Sequence, residues 1–268
     1  MIHLKQNNQK KIKFIVMKAF EFFILSIFVL FLGVITYVKD IFPEGNKDLR
    51  KESRDATGFD QIASSGDFKV IVKQGNTYSV EVKAESNLLP YIETEVVDQT
   101  LRIKTLGIRI LLHSCPIEIF ITTPVLNGLL LSGSGMIKTG SFVSDQFRIL
   151  LSGSGDIDTK INTGLMKAYV SGSGNIFLEG DAKASRLVIS GSGRIKSYQS
   201  TQRNCEAIII GSGNMYVNTL ETIDARITGS GKVLYISHPI INKSVYGSGD
   251  VFDMNQSKGE LTDLSLHR

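Results

Sequence analysis

The tripeptide Gly-Ser-Gly occurs seven times in the second half of the chain, with first glycines at Gly133, Gly153, Gly172, Gly191, Gly211, Gly229 and Gly247. The separations are 20, 19, 19, 20, 18 and 18 residues. A turn repeated at so even a spacing limits the fold more than any other property of the sequence. Two residues before each triplet stands Leu131, Leu151, Val170, Ile189, Ile209, Ile227 or Val245. Four residues after each first glycine stands Ile137, Ile157, Ile176, Ile195, Met215, Val233 or Val251. Strands bury alternate residues, so an apolar residue at a fixed offset on each side of a turn describes a strand, a corner and a second strand. A period of about nineteen residues suits one coil of a β-solenoid, each coil pairing in parallel with the next at a rise of about 4.8 Å. Parallel crossovers are right-handed as a rule. The expected fold is therefore all-β, a right-handed parallel β-helix over residues 123–253.

In such a fold the triplets are structural turns. The backbone bends sharply at the same place in every coil, and glycine alone takes positive φ there without penalty. The second glycines, Gly135, Gly155, Gly174, Gly193, Gly213, Gly231 and Gly249, stack beside the first, and the intervening serines, Ser134 to Ser248, form a column. Phosphate-binding readings fail on spacing. The third glycine of a dinucleotide fingerprint is replaced by Lys138, Asp158, Phe177, Lys196, Tyr216, Leu234 or Phe252, and no Gly-Lys-Ser/Thr follows any triplet. The residue after the triplet is Met136, Asp156, Asn175, Arg194, Asn214, Lys232 or Asp250, a mixture of charge signs that no calcium repeat would tolerate. No cofactor, nucleotide or metal is expected.

Ahead of the repeats, residues 58–122 alternate apolar and polar. "DFKVIVKQGNTYSVEVKAE" predicts a hairpin through Gln74, Gly75 and Asn76, and "ETEVVDQTLRIKT" a second one through Asp98 and Gln99. "SNLLPYI" predicts a helical turn, and "PIEIFITTP" a strand with Ile117, Ile119 and Ile121 on one face. Residues 39–57 carry charges of both signs without periodicity and read as a linker, and residues 254–268 as a polar tail.

The N-terminus has a different chemistry. Within residues 1–21, Lys5, Lys10, Lys11, Lys13 and Lys18 against the single Glu21 account for the whole net charge of +4, so the remainder is neutral. A neutral body lacks the footprint of a nucleic-acid binder. Phe22 to Val38 contains no charge, which is the lower limit for a membrane-spanning helix. Lysines before it predict a cytoplasmic leader, a single-pass anchor over 22–38 in the inner membrane, and an exported body. The competing reading is a cleaved signal peptide, but no small-x-small site follows the run.

The stretch "FKVIVKQGNTYSVEVKAESNLLPYIETEV", then "LRIKT", then "PIEIFITTPVLNGLLLSGSG" and the Gly-Ser-Gly-x-Ile units, resembles the bacterial putative auto-transporter adhesin family, head GIN domain. The likeness covers residues 58 to 253, and "GNI" at Gly174 to Ile176 is close to the motif that names the domain. It implies an exported β-helical domain at the bacterial envelope, and the chain as a whole reads as a non-catalytic binding or structural module for an envelope protein or glycan, or else as an envelope scaffold or sensing domain acting by protein contact. The likeness supplies no site residues.

β-Helices also carry polysaccharide-cleaving sites, for which Asp156 and Asp158 with Arg194 and Lys196 are the candidates, against a solvated surface as the plain reading. His3, His113, His238 and His267 are not spaced as metal ligands. "LLHSCPI" aligns with "LLSGSGDI" as a degenerate coil with Cys115 at its corner. About four coils, nearly 20 Å, would then separate Cys115 from Cys205, so both are expected to be free and buried. Finally, the residue three before each triplet should point outward. It is Leu130, Leu150, Tyr169, Val188 and Ile208 in five successive coils, then Arg226 and Ser244. Such a strip is a candidate contact surface, covered by the N-terminal hairpins or by another subunit, unless the strand is buried on both faces within the chain.

Overall fold

In the computed structural model, the residues described are 41–255 together with a few helical positions between Lys18 and Leu30. Two units are distinguished, Met1–Glu44 with Gly107–Leu112, and Gly45–Leu106 with His113–Arg268. In the first, Ile110 N–H donates to Ile41 O (2.9 Å) and Leu112 N–H to Pro43 O (3.0 Å). The expected membrane span lies largely outside the described residues, among which no helix is long and apolar enough to cross a membrane.

The second unit is a β-solenoid. Its strands are β1 (Leu49–Arg54), β2 (Gln61–Ser65), β3 (Lys69–Gln74), β4 (Ser79–Glu85), β5 (Ile92–Val97), β6 (Thr100–Thr105), β7 (Glu118–Thr123) and β8 (Gly128–Gly133). They are followed by β9 (Met136–Gly153), β10 (Asp156–Gly172), β11 (Asn175–Gly191), β12 (Arg194–Gly211), β13 (Asn214–Gly229), β14 (Lys232–Tyr235), β15 (Ile240–Tyr246) and β16 (Asp250–Asp253). Each long strand from β9 to β13 runs from one Gly-Ser-Gly corner to the next, and each pairs in parallel with its neighbours in the order of the chain.

The register places equivalent repeat positions side by side: Ile157 lies between Ile137 and Ile176, and Val170 between Leu151 and Ile189. Both apolar positions of the repeat therefore fill the bore. Ile137, Ile157, Ile176, Ile195, Met215 and Val233 are fully buried. Val245 and Val251, in the last coil, are half-buried. A further inward column mixes large and small side chains, Ile149, Ala168, Leu187, Ala207 and Ala225, all buried. Thr139 and Thr159 share a buried hydroxyl contact of 2.7 Å. Shortly after the glycine corners the ladder shifts register, for example between Asp158 and Lys160 and between Phe177 and Glu179.

The region before the triplets differs from the expected pair of hairpins. β5 and β6 do form one, turning through Asp98 (φ 49°) and Gln99 (φ 60°). β3 and β4 do not pair. β7 lies between them, parallel to β3 and antiparallel to β4. β2 lies between β6 and β8, and β3 between β7 and β9. Residues 61–74 are thus a coil interposed between a later coil, 100–123, and the first triplet coil, so the solenoid begins well before residue 123 and not in chain order. Alternation identifies a strand and its buried face, but Val70 and Val72 would satisfy a hairpin or a coil equally; the partner is chosen by packing against Ile119, Ile121 and Ile137. Gly66 is the corner of this coil, at φ +133°, and its carbonyl accepts from Gly135 N–H at 3.1 Å.

The expected linker also contains structure. β1 pairs antiparallel with β4 along its whole length although none of its residues is buried. Its Lys51 bridges Glu81 (2.6 Å) and lies 5.3 Å from the Phe120 ring centroid. A short, charged outer strand blunts the sheet edge at that end of the stack. The chain leading into it is held by Glu85, fully buried, which accepts from Lys47 N–H (2.7 Å) and Ser114 N–H (3.0 Å).

Candidate functional site

At the corners the seven first glycines have φ between +113° and +127°. From Gly133 to Gly211 each carbonyl accepts two hydrogen bonds from the next coil, one from the serine N–H and one from the second glycine N–H; for Gly153 both are 3.0 Å, from Ser173 and Gly174. These N–H groups are spent on the neighbouring coil and are not free to cradle a phosphate. The serine side chains face solvent, and Ser248 Oγ donates to Ser230 Oγ at 2.9 Å.

The charged candidates are engaged locally. Asp158 pairs with Lys138 at 2.7 Å, raising the Lys138 ammonium above its ordinary value. Asp156 accepts from Asn175 Nδ2 (2.8 Å), and Lys196 stands 5.1 Å from the Phe177 ring centroid. Arg194 sits one coil on from Asn175 in the same column as Asp156, and Lys196 one coil on from Phe177 in the same column as Asp158. Among the described residues no group of three or more His, Cys, Asp or Glu could hold a metal ion. His113 Nε2 lies 3.4 Å from Asp67, and its Nδ1 3.1 Å from the Cys115 carbonyl.

Both cysteines are free, but only Cys205 is buried; Cys115, expected to be buried, is partly exposed because residues 106–117 leave the coil between β6 and β7. Burial pushes the Cys205 thiol up to about 11, with Ser185 and Thr219 beside it pulling the other way. At neutral pH a disulfide-type thiol reagent is expected to titrate Cys115 on the folded chain and Cys205 only after denaturant is added. Rapid modification of both thiols in the folded state would contradict the register of β12.

Leu130, Leu150, Tyr169, Val188 and Ile208 form one continuous column in register, on the outer face and half-buried. The strand is therefore not buried on both faces: its inward neighbours Leu131, Leu151, Val170, Ile189 and Ile209 are at most 2% exposed, whereas the outward column stays accessible. β5 pairs with β6. Ala63 precedes Leu130 in the column and Arg102 precedes Ala63; Arg226 follows Ile208.

Two flanking columns complete the face. Five residues before each triplet stand Arg148, Lys167 and Arg186 in successive coils, then Glu206 and Asp224. One residue before stand Ser65, Ser132, Ser152, Ser171 and Ser190. A cation, an apolar group and a hydroxyl thus repeat across three coils as Arg148-Leu150-Ser152, Lys167-Tyr169-Ser171 and Arg186-Val188-Ser190. Arg186 is neutralised by Glu206 (2.7 Å). Arg148, 6.0 Å from the Tyr169 ring centroid, and Lys167 have no carboxylate partner among the described residues. The cations and serines lie at the two neighbouring outward offsets of the same repeat and can be counted from it as the apolar column can.

At the Ala63 end the face is concave. A groove of ≈ 360 Å³ is lined by Ala63, Leu130 and Leu150, with Arg102 at the end of that column and, beside it, the column of Lys104, Ser65, Ser132 and Ser152. Lys104 is bound to Glu95 at 2.8 Å, which lowers the Glu95 carboxyl, while Arg102 makes no ion pair among the described residues.

The family described as putative auto-transporter adhesin, head GIN domain, matches residues 58–239. The chain belongs to that family. No curated protein matches it. The head GIN fold recurs in crystal structures of a putative adhesin from Bacteroides fragilis (24% identity, TM-score 0.75, covering 79% of this chain and 99% of that one) and a putative lipid binding protein from Parabacteroides distasonis (24%, 0.68, 80% and 99%). A putative adhesin from Parabacteroides merdae is similar at 19% identity and TM-score 0.68, covering 80% and 99%. At these identities the likeness shows the fold alone, a β-solenoid.

Proposed function

We propose that the chain is a non-catalytic binding module, a right-handed β-solenoid exported and tethered at the bacterial envelope by residues 22–38, with its basic leader in the cytoplasm. The observation that carries the binding role is the repeated cation, apolar and hydroxyl lattice on one outer face. Its apolar column is half-exposed along five coils, about 19 Å at the usual strand spacing, and two of its cations lack partners. The descriptions of structurally similar proteins as adhesins and as a lipid binding protein support a binding role over an enzymatic one. The envelope location is supported by the family and by the charge pattern around Phe22 to Val38.

The test is capture of washed envelope fractions by the full chain and by a Tyr169→Asp/Val188→Asp variant. Both side chains point outward, so the melting temperature should stay within a few degrees while capture falls about tenfold or more. Undiminished capture by a folded variant would remove this face as the contact surface.

A further inference from the structure

We propose that the groove at the Ala63 end of this face binds a single-chain anionic amphiphile, a long-chain carboxylate whose tail lies over Ala63, Leu130 and Leu150 and whose headgroup is held by Arg102. This rests on the binding role proposed for the face and narrows its ligand. The shape argues for a chain. The apolar floor is one side chain wide, closed at its end by Arg102, flanked by the serine column that Lys104 heads, and continues in line through Tyr169 and Val188. Ala63 is the small member of the column, set between Arg102 and Leu130, and the hollow lies over it.

The charge fixes the headgroup. Of the two cations at the rim, Lys104 is committed to Glu95, whereas Arg102 makes no ion pair among the described residues, and a guanidinium takes a carboxylate in two parallel hydrogen bonds. A sugar chain fits less well. Its rings are recognised by stacking, and Tyr169, the one aromatic of the column, has Arg148 over its face at 6.0 Å. A few convergent polar groups around an apolar cleft are what small amphiphiles require.

Isothermal titration of the full chain with palmitate below its micelle threshold, palmityl alcohol and an oligogalacturonate tests this. Palmitate is expected to bind saturably at one site, at least about tenfold tighter than the alcohol, and the oligogalacturonate not at all. Ala63→Leu, which fills the hollow without removing any contact, should weaken palmitate about tenfold or more at unchanged melting temperature. Arg102→Gln should weaken palmitate to the level of the alcohol. Absent palmitate binding, equal binding by Ala63→Leu, equal binding of the alcohol, or binding of the oligogalacturonate in its place would each overturn the proposal. If palmitate fails while Tyr169→Asp/Val188→Asp still loses envelope capture, the binding face stands and only its ligand class is wrong.

Discussion

Replacing Gly172 and Gly174 together by alanine is expected to unfold most of the chain at 25 °C. Gly172 has φ +122°, and a Cβ there would sit 2.5 Å from the Gly153 carbonyl oxygen; at Gly174 the added carbon would lie 2.3 Å from Gly155 O and 2.8 Å from Leu151 Cδ2. Neither obstacle is a flexible side-chain tip. The contacts are backbone of the preceding coil and a buried leucine, so relief requires opening the stack and losing the hydrogen bonds of Ser173 and Gly174 to Gly153. Positive-φ strain of about 1–3 kcal/mol at Gly172, added to overpacking of about 1–3 kcal/mol at each of the two sites, consumes much of the ~5–15 kcal/mol that holds a typical domain. Gly140→Ala is the matched control: its added carbon would meet nothing nearer than Val72 O at 3.8 Å, so it should shift the urea midpoint little. Equal midpoints for the double variant and the control would show that the corners are not stacked as described.

The second large effect is expected in the bore. Ile176 is fully buried between Ile157 and Ile195, with no polar group to meet an ionised carboxylate. Ile176→Asp therefore places an unpaired charge in an apolar column and should destabilise by more than about 4 kcal/mol, read as loss of the cooperative urea transition. Ile176→Val keeps the shape and should cost about 0.5–1.5 kcal/mol. A folded Ile176→Asp chain with a near-native midpoint would mean that this residue faces solvent, which would reverse the assigned side of the whole column.

How much of this was legible from residues alone depends on which physical signal each element carried. The coils from Leu129 onward were readable because corner, inward residue and period recur together, so a shift of one residue would expose every apolar side chain of the column. The coil of β2 and β3 was misread because its corner has the single Gly66 in "SSGDF" and its neighbours in space are later in the chain. β1 was missed for a different reason: no residue in it is buried, so it has no alternation, and it exists through backbone pairing with β4 and ion pairs such as Lys51 with Glu81. The apolar column can be counted from the repeat alone. Its groove was not foreseen, since it depends on Ala63 and Arg102, which reach the column only through the interposed coil.

The stacking of successive coils is tested most directly by distances between spin labels on the corner serines. In a Cys115→Ser background, labels at Ser134 paired in turn with Ser192, Ser212, Ser230 and Ser248 should give separations rising by about 4.8 Å per pair, from roughly 14 Å to roughly 29 Å. Distances that rise and fall along that series, as corners scattered over antiparallel strands would give, would contradict the solenoid and with it the outward face on which the proposed binding depends.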